Sequence, residues 1–172
     1  MKYLFLHCTA DLYGASRMML RTINKLVEDS QLPALFFKFS RKKCEQMCRY
    51  VKVSLVDHEE LHQINSTFSK IMLKYKDKYE HLGQYQDVYK QIQKGVAYHH
   101  SGMLPILKEI VEILFSRGLI KVLFATETFA IGVNMPTKTV IFSDFMIIFL
   151  AKQLVRVPVG WTGAQYCRLL MI

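Results

Sequence analysis

Three short stretches of the sequence combine hydroxyls, cations and amides in a way that suits contact with phosphate. The first, residues 39–43, reads FSRKK and brings Ser40, Arg41 and Lys42 together. A hydroxyl at a helix start, followed by a guanidinium fork, is typical of a phosphate seat. The same pattern is also typical of a capped basic helix that faces solvent, and spacing alone favours this second interpretation.

The second stretch, residues 99–102, reads HHSG and pairs two histidines with a small turn. Adjacent side chains on an extended segment point to opposite faces, so His99 and His100 are not expected to share a metal ion. Structural histidines beside a Ser101–Gly102 turn are the favoured interpretation. Gly102, which lacks a Cβ, could also let a nucleic-acid backbone come close.

The third stretch, residues 126–136, reads TETFAIGVNMP and contains hydroxyls, a carboxylate, an amide and a glycine. Such a loop has the groups needed to hydrogen-bond phosphate oxygens and a ribose hydroxyl without covalent chemistry. Composition alone does not show that the loop does so.

The elements that must position these loops alternate between strands and helices. Continuous apolar runs at 34–37, 96–99, 121–125 and 139–142 are typical of parallel strands buried on both faces. Helices are predicted after 34–37 and after 96–99, with Ser40 beginning the first and Pro105 in the first turn of the second, which is expected to run to Gly118. The polar stretch 61–94 is expected to add one or two amphipathic helices with a break at Gly83, and residues 126–136 are expected to form an irregular loop. The sequence therefore predicts an α/β fold with a mostly parallel sheet, in which ligands gather at the carboxyl ends of strands.

Length and composition bound the possible partners. The 172 residues suffice for one domain with a core, and 51% hydrophobic with 22% charged residues is typical of a globular protein. The net charge of +9 indicates either a polyanionic partner such as nucleic acid or simple solubility. The scattered cysteines and the lack of a signal peptide or membrane-spanning run predict an intracellular protein, nuclear or cytoplasmic, without a membrane partner.

One long run spans residues 95–142 and reads GVAYHHSGMLPILKEIVEILFSRGLIKVLFATETFAIGVNMPTKTVIF. This run closely resembles a known family of ATP-driven motor proteins. It is similar to the second RecA-like domain of superfamily-two DExH-box RNA helicases of the exosome-assisting superkiller type. The run PALFFKFSRKKCE, residues 33–45, resembles motif IV of the same family. The resemblance covers roughly Leu32 to Phe142 and implies a RecA-like three-layer fold.

The resemblance also implies what particular residues do. Single-stranded RNA, or alternatively DNA, is expected to contact motif IV, the 101–102 turn and motif V through its backbone. The residues that the resemblance implies for these contacts are Ser40, Arg41, Lys42, Ser101, Gly102, Thr126 and Thr128. Gly132 and Asn134 lie where related helicases approach the nucleotide. Since phosphate and sugar contacts position without specifying, base sequence should go largely unread.

The sequence departs from the family at the groups that perform the reaction. It contains no GxxxxGK[ST] phosphate loop and no Asp-Glu-x-His or Asp-Glu-x-Asp motif. The family's Gln-x-x-Gly-Arg-x-Gly-Arg motif, which supplies arginine fingers, is also missing. ATP and Mg²⁺ are therefore expected to bind only when a first RecA-like domain is present as partner, and neither is expected to bind stably to this chain alone. No catalytic or metal-binding residue is predicted in this chain.

The two ends of the chain are expected to differ from the centre. Residues 1–31 form a strand-loop-helix arm whose LFLHCTADLYGASRMMLRTINKL run weakly resembles a glycosyltransferase N-terminus, with a divergent entry helix as the alternative. Residues 32–145 are the predicted helicase C-terminal RecA-like domain. Residues 146–172 are an atypical tail, for which translation out of frame after about Phe145 is one hypothesis.

Two functions follow from these patterns. The first is that of the second motor domain, or a fragment, of an ATP-dependent RNA helicase, which binds RNA backbone and completes an ATP site at a two-domain interface. The alternative is a non-catalytic module that binds nucleic acid or protein and derives from a helicase domain. No activity is expected of the chain in isolation under either interpretation.

Overall fold

The computed structural model describes residues 2–5, 12–126 and 136–142. This part of the chain contains six helices and five strands. In order they are β1 (Lys2–Phe5), α1 (Leu12–Glu28), β2 (Ala34–Phe37), α2 (Arg41–Tyr50), α3 (His58–Met72), α4 (Lys76–Tyr79), α5 (Gly83–Ile92), β3 (Val96–His99), α6 (Pro105–Ser116), β4 (Val122–Ala125) and β5 (Thr139–Phe142).

The described strands form one five-stranded sheet in the order β1-β5-β2-β4-β3. Every pairing in it is parallel, with Ala34 opposite Val122 on one side and Thr139 on the other. Parallel strands end at the same edge of the sheet, and β4 lies between β2 and β3, so the segments that follow these three strands lie side by side. The predicted α/β class with a parallel sheet is confirmed.

The sheet is the centre of the hydrophobic core. All residues of β2, β3 and β4 are buried, as the continuous apolar runs predict for strands covered on both faces. Helix α2 packs on β3 and β4, while α5 and α6 pack on β3. Phe36 and Phe124 lie on paired strands with their ring centroids 5.1 Å apart, and both are fully buried.

Local sequence signals set several of the helix ends. Ser40 is the N-cap of α2, and its hydroxyl oxygen accepts from the Lys43 N–H at 3.4 Å. Pro105 is the first residue of α6, as predicted. That helix ends at Ser116, two residues before the predicted end, because Gly118 adopts a left-handed φ of 71°. The Leu119 N–H then bonds the Leu114 carbonyl at 3.0 Å and closes the helix.

The polar middle of the chain, for which one or two helices are predicted, forms three. Helix α3 starts in a capping box made by Asp57 and Glu60. The short α4 follows it, and α5 begins at Gly83, so this glycine starts a helix and does not interrupt one. Among the described residues no helix is both long enough and apolar enough to cross a membrane.

Candidate nucleic-acid interface

Backbone hydrogen bonds join the ends of β2, β4 and β3 at one edge of the sheet. The Lys38 N–H donates to the Ala125 carbonyl at 2.9 Å, and the Thr126 N–H donates to the His99 carbonyl at 3.2 Å. These bonds join Lys38, which directly precedes the 39–43 stretch, to the end of β4, and they join the first residues of the other two stretches, so all three stretches begin at neighbouring positions. This edge is the candidate interface.

The segment after β2 presents its cations to solvent. Arg41, Lys42 and Lys43 are all exposed in the first turn of α2. The Ser40 hydroxyl oxygen accepts a hydrogen bond as the cap of this helix. The hydroxyl hydrogen can therefore still be donated to a phosphate oxygen. The capped basic helix and the phosphate seat are therefore compatible descriptions of the same residues.

The turn after β3 lies against this basic segment. A Cβ added at Gly102 would lie 3.5 Å from the Arg41 Cδ and 3.2 Å from the His100 Nδ1. Ser101 and Gly102 are exposed, whereas His100 and Met103 on either side are buried. The structure therefore brings Arg41 and the predicted 101–102 turn together, and a Cβ at Gly102 would be in ordinary contact with Arg41 but tight against the His100 ring.

The two histidines take different partners. His99 Nε2 lies 2.7 Å from Glu112 on α6, while His100 Nε2 lies 3.1 Å from Glu45 on α2. The His100 Nδ1 accepts from the Gly102 N–H at 3.1 Å, so the proton of the neutral ring sits on Nε2 and is donated to Glu45. His100 therefore links the turn to α2.

A charged network extends behind this turn. Arg49 donates to Asp87 at 2.9 Å and to Glu45 at 3.3 Å, and the buried Tyr98 donates its hydroxyl to Asp87 at 3.1 Å. Burial alone would raise the pKa of Asp87, but hydrogen bonds from Arg49 and Tyr98 lower that pKa overall. The network holds α2, α5 and β3 together below the candidate interface.

Both histidines should make stability depend on pH. Burial lowers the pKa of His99 and of His100 despite their carboxylate partners Glu112 and Glu45. The unfolded chain therefore takes up protons at these rings first as pH falls below the ordinary value of 6.5. We expect the free energy of unfolding, measured by urea titration, to fall from about pH 7.5 to about pH 5.5.

A variant isolates the contribution of His100 to this pH dependence. His100→Asn, which cannot titrate, should show a smaller loss of stability over the same pH range. His62→Asn changes an exposed histidine on α3 and provides the matched control. Equal losses in the wild type and in His100→Asn would contradict the prediction.

The third stretch is described only at its two ends. Thr126 is 6% exposed and follows β4 directly, so its main chain belongs to the candidate interface. Thr128, Gly132 and Asn134 lie outside the described residues. Their predicted roles stay predictions.

Some residues of this edge carried no signal in the sequence. Hydrogen bonds connect Gln84, Glu45 and Asp87 to residues on β3 or just after it. Each of the three is at least eleven positions away in the sequence from the residue that it bonds. Periodicity shows that such residues are on helices but does not show which loop they meet. Only the packing of α2 and α5 on β3 identifies them.

Comparison with known proteins identifies relatives over most of the chain. The Saccharomyces cerevisiae antiviral helicase SKI2 is 43% identical over 123 residues, which are 71% of this chain and 10% of that protein. The ATP-dependent RNA helicase mtr4 of Schizosaccharomyces pombe is 42% identical over 113 residues, 65% of this chain and 10% of that protein. Human superkiller complex protein 2 is 46% identical over 116 residues, 67% of this chain and 9% of that protein.

The chain thus spans about a tenth of the length of the curated relatives that it matches. No family model matches it. Identities of 42% to 46% over more than a hundred residues, together with the parallel α/β fold, agree with the resemblance carried by residues 33–45 and 95–142. The chain belongs to the exosome-assisting superkiller family of DExH-box RNA helicases.

Proposed function

We propose that the chain acts as the second RecA-like domain of an ATP-dependent RNA helicase and grips single-stranded RNA by its backbone. The RNA would cross the carboxyl edge of the sheet and meet motif IV, the 101–102 turn and the start of motif V. The residues proposed for these contacts are Ser40, Arg41, Lys42, Ser101, Gly102, Thr126 and Thr128.

One observation carries the proposal. Main-chain bonds tie the end of β2 to the end of β4 and the start of the third stretch to the end of β3, while Arg41 packs beside Gly102. Hydroxyls, cations and a bare glycine backbone are thus adjacent on a single edge. A polymer with a regular series of phosphates can engage such a row of groups at successive nucleotides.

The chemistry of these groups favours the backbone over the bases. Arg41 and Lys42 supply charge for phosphate oxygens, and the Ser101 hydroxyl can donate a hydrogen bond to one. Such contacts carry no base information, so oligonucleotides of different sequence should bind alike.

The proposed contribution to the ATP site depends on a second domain. Gly132 and Asn134 would approach the nucleotide from this side, and a first RecA-like domain would bring the phosphate loop and the Mg²⁺ ligands. Within the part of the chain that the structure describes, no cluster of His, Cys, Asp and Glu is arranged to hold a metal ion. The relatives named as helicases favour this motor function over the alternative non-catalytic module.

A salt titration tests RNA binding. If about three to five phosphates are engaged, the log-log slope of affinity for labelled oligouridine against salt should be roughly −2 to −4, from ~0.7 per phosphate. The double variant Arg41→Ala/Lys42→Ala should bind more weakly and flatten the slope by about one unit or slightly more. Fluorescence anisotropy at several salt concentrations measures both quantities.

A matched pair of cations provides the control. Lys52 and Lys90 are exposed and lie near the carboxyl ends of α2 and α5, toward the opposite edge of the sheet. Lys52→Ala/Lys90→Ala removes the same charge and should leave the slope nearly unchanged. A salt-independent affinity of the wild type, or equal effects of the two double variants, would contradict RNA binding at this edge.

A further inference from the structure

The side chain of Gln84 holds the 101–104 turn from outside. Gln84 lies in the first turn of α5, and its Nε2 donates to the Gly102 carbonyl at 3.3 Å. Its Oε1 accepts from the Leu104 N–H at 2.7 Å. One amide group therefore binds the turn on both sides of Met103, through main-chain atoms alone.

His100 holds the same turn from inside. Its Nδ1 accepts from the Gly102 N–H at 3.1 Å, and its buried ring stacks on Tyr98 with the ring centroids 5.5 Å apart. The Nε2 proton is donated to Glu45, which Arg49 holds in turn. Both polar main-chain groups of Gly102 are consequently bonded within the chain.

This arrangement determines what the turn can offer to a ligand. Because Gly102 uses its N–H and its carbonyl internally, it contributes space for close approach, and the exposed Ser101 is the residue with a hydroxyl to donate. The turn is fixed by α2, α5 and the end of β3 before any ligand arrives. A fixed group binds more tightly than a mobile one, since less conformational entropy is lost on binding.

We propose that Gln84 and His100 are positioning residues for RNA, which hold the turn so that Ser101 meets the phosphate beside the one bound by Arg41. This inference rests on the proposed RNA-binding function and adds two residues to it that do not themselves touch RNA. Gln84 suits the task because its amide donates and accepts at once. Leucine at this position has a similar size and can do neither.

The first test compares two glutamines on α5. Gln84→Leu should lower the affinity for oligouridine about threefold to tenfold, the effect of roughly one lost hydrogen bond of ordinary strength. The slope of affinity against salt should stay the same, because no cation is removed. Gln86 also donates to a main-chain carbonyl, that of Glu80 at 3.3 Å, and Gln86→Leu should leave RNA affinity unchanged.

A double-mutant cycle separates positioning from a general effect on folding. If Gln84 acts through Ser101, Gln84→Leu should cause little further loss of affinity in a Ser101→Ala background. A purely structural role would lower the melting temperature and reduce RNA affinity by the same factor in both backgrounds. That second pattern, or no loss of affinity in Gln84→Leu, would overturn the proposal.

Two replacements of His100 test the other half of the proposal. His100→Asn keeps an acceptor near the position of Nδ1 and should retain most of the RNA affinity. His100→Gln keeps a donor near the position of Nε2 but loses the acceptor for Gly102, and should weaken binding. The reverse order of affinities would overturn the role of His100.

The two proposals fail in different ways. If the wild-type chain shows no salt-dependent binding of oligouridine, the RNA-binding function itself is wrong, and the positioning proposal falls with it. If Arg41→Ala/Lys42→Ala weakens binding while Gln84→Leu and His100→Gln do not, only the positioning proposal is wrong.

Discussion

Supplied with ATP, Mg²⁺ and oligouridine, a purified polypeptide of these 172 residues is expected to release no phosphate above the uncatalysed background. Phosphoryl transfer is accelerated mainly by positioning and by charge stabilisation, which a phosphate loop, its lysine, Mg²⁺ ligands and arginine fingers provide. The sequence contains none of these motifs. An arginine finger alone increases the rate of phosphoryl transfer about 10³- to 10⁵-fold, so the lack of ATP hydrolysis is the largest effect expected of the chain.

The measurement is a phosphate-release assay with and without RNA. The Schizosaccharomyces pombe relative, whose name describes it as ATP-dependent, is the positive control. Adding a first RecA-like domain in trans should permit nucleotide binding, whereas turnover should remain low for lack of the Gly-Arg-x-Gly-Arg motif. RNA-stimulated turnover by the purified chain alone would contradict the proposed division of labour between two domains.

Gly95→Ala should cause the largest loss of stability among single substitutions of the glycines that the structure describes. Gly95 has a φ of 73°, where a side chain costs about 1–2 kcal/mol. An added Cβ would also lie 2.5 Å from the Val56 Cγ1, and such overpacking costs a further ~1–3 kcal/mol. We therefore expect the free energy of unfolding, measured with urea, to fall by roughly 2–5 kcal/mol.

Gly118→Ala is the matched control for the backbone contribution. Gly118 has nearly the same φ of 71°, but a Cβ there would meet nothing within 4 Å. Its substitution should cost only the backbone part, about 1–2 kcal/mol. In Gly95→Ala, the second change Val56→Ala removes the clashing methyl and should restore part of the lost stability. Equal losses at both glycines would show that the contact with Val56 has no effect.

The sequence predicted several local features of the fold. Buried runs such as Ala34–Phe37 identify parallel strands because both faces of such a strand are covered, so its successive residues must all be apolar. Ser40 and Pro105 mark helix starts through their own chemistry, independently of the rest of the fold. The carboxyl-edge rule then correctly placed the ends of β2, β3 and β4 at one edge of the sheet, whereas their adjacency there follows from the strand order.

Features that depend on distant packing were not predicted. The bonds from Gln84 to the 102–104 main chain and from His100 to Glu45 require α5 and α2 to sit on the same part of the sheet. Polar residues on amphipathic helices otherwise face solvent, so nothing in their spacing distinguishes Gln84 from Gln86. The order of the strands likewise depends on crossovers that local patterns do not specify.

The order of the strands has a consequence for synthesis on the ribosome. All four ladders that the structure describes include β4 or β5, since β1 and β2 pair with β5, and β2 and β3 pair with β4. Among the described strands, β1, β2 and β3 have no partner until Val122 and the residues after it have left the exit tunnel. Pairings so distant in sequence form slowly, and unpaired apolar strands promote aggregation in the meantime. A nascent chain halted before β4 would expose β2 and β3 without a ladder and would be a natural substrate for a chaperone that holds unfolded segments.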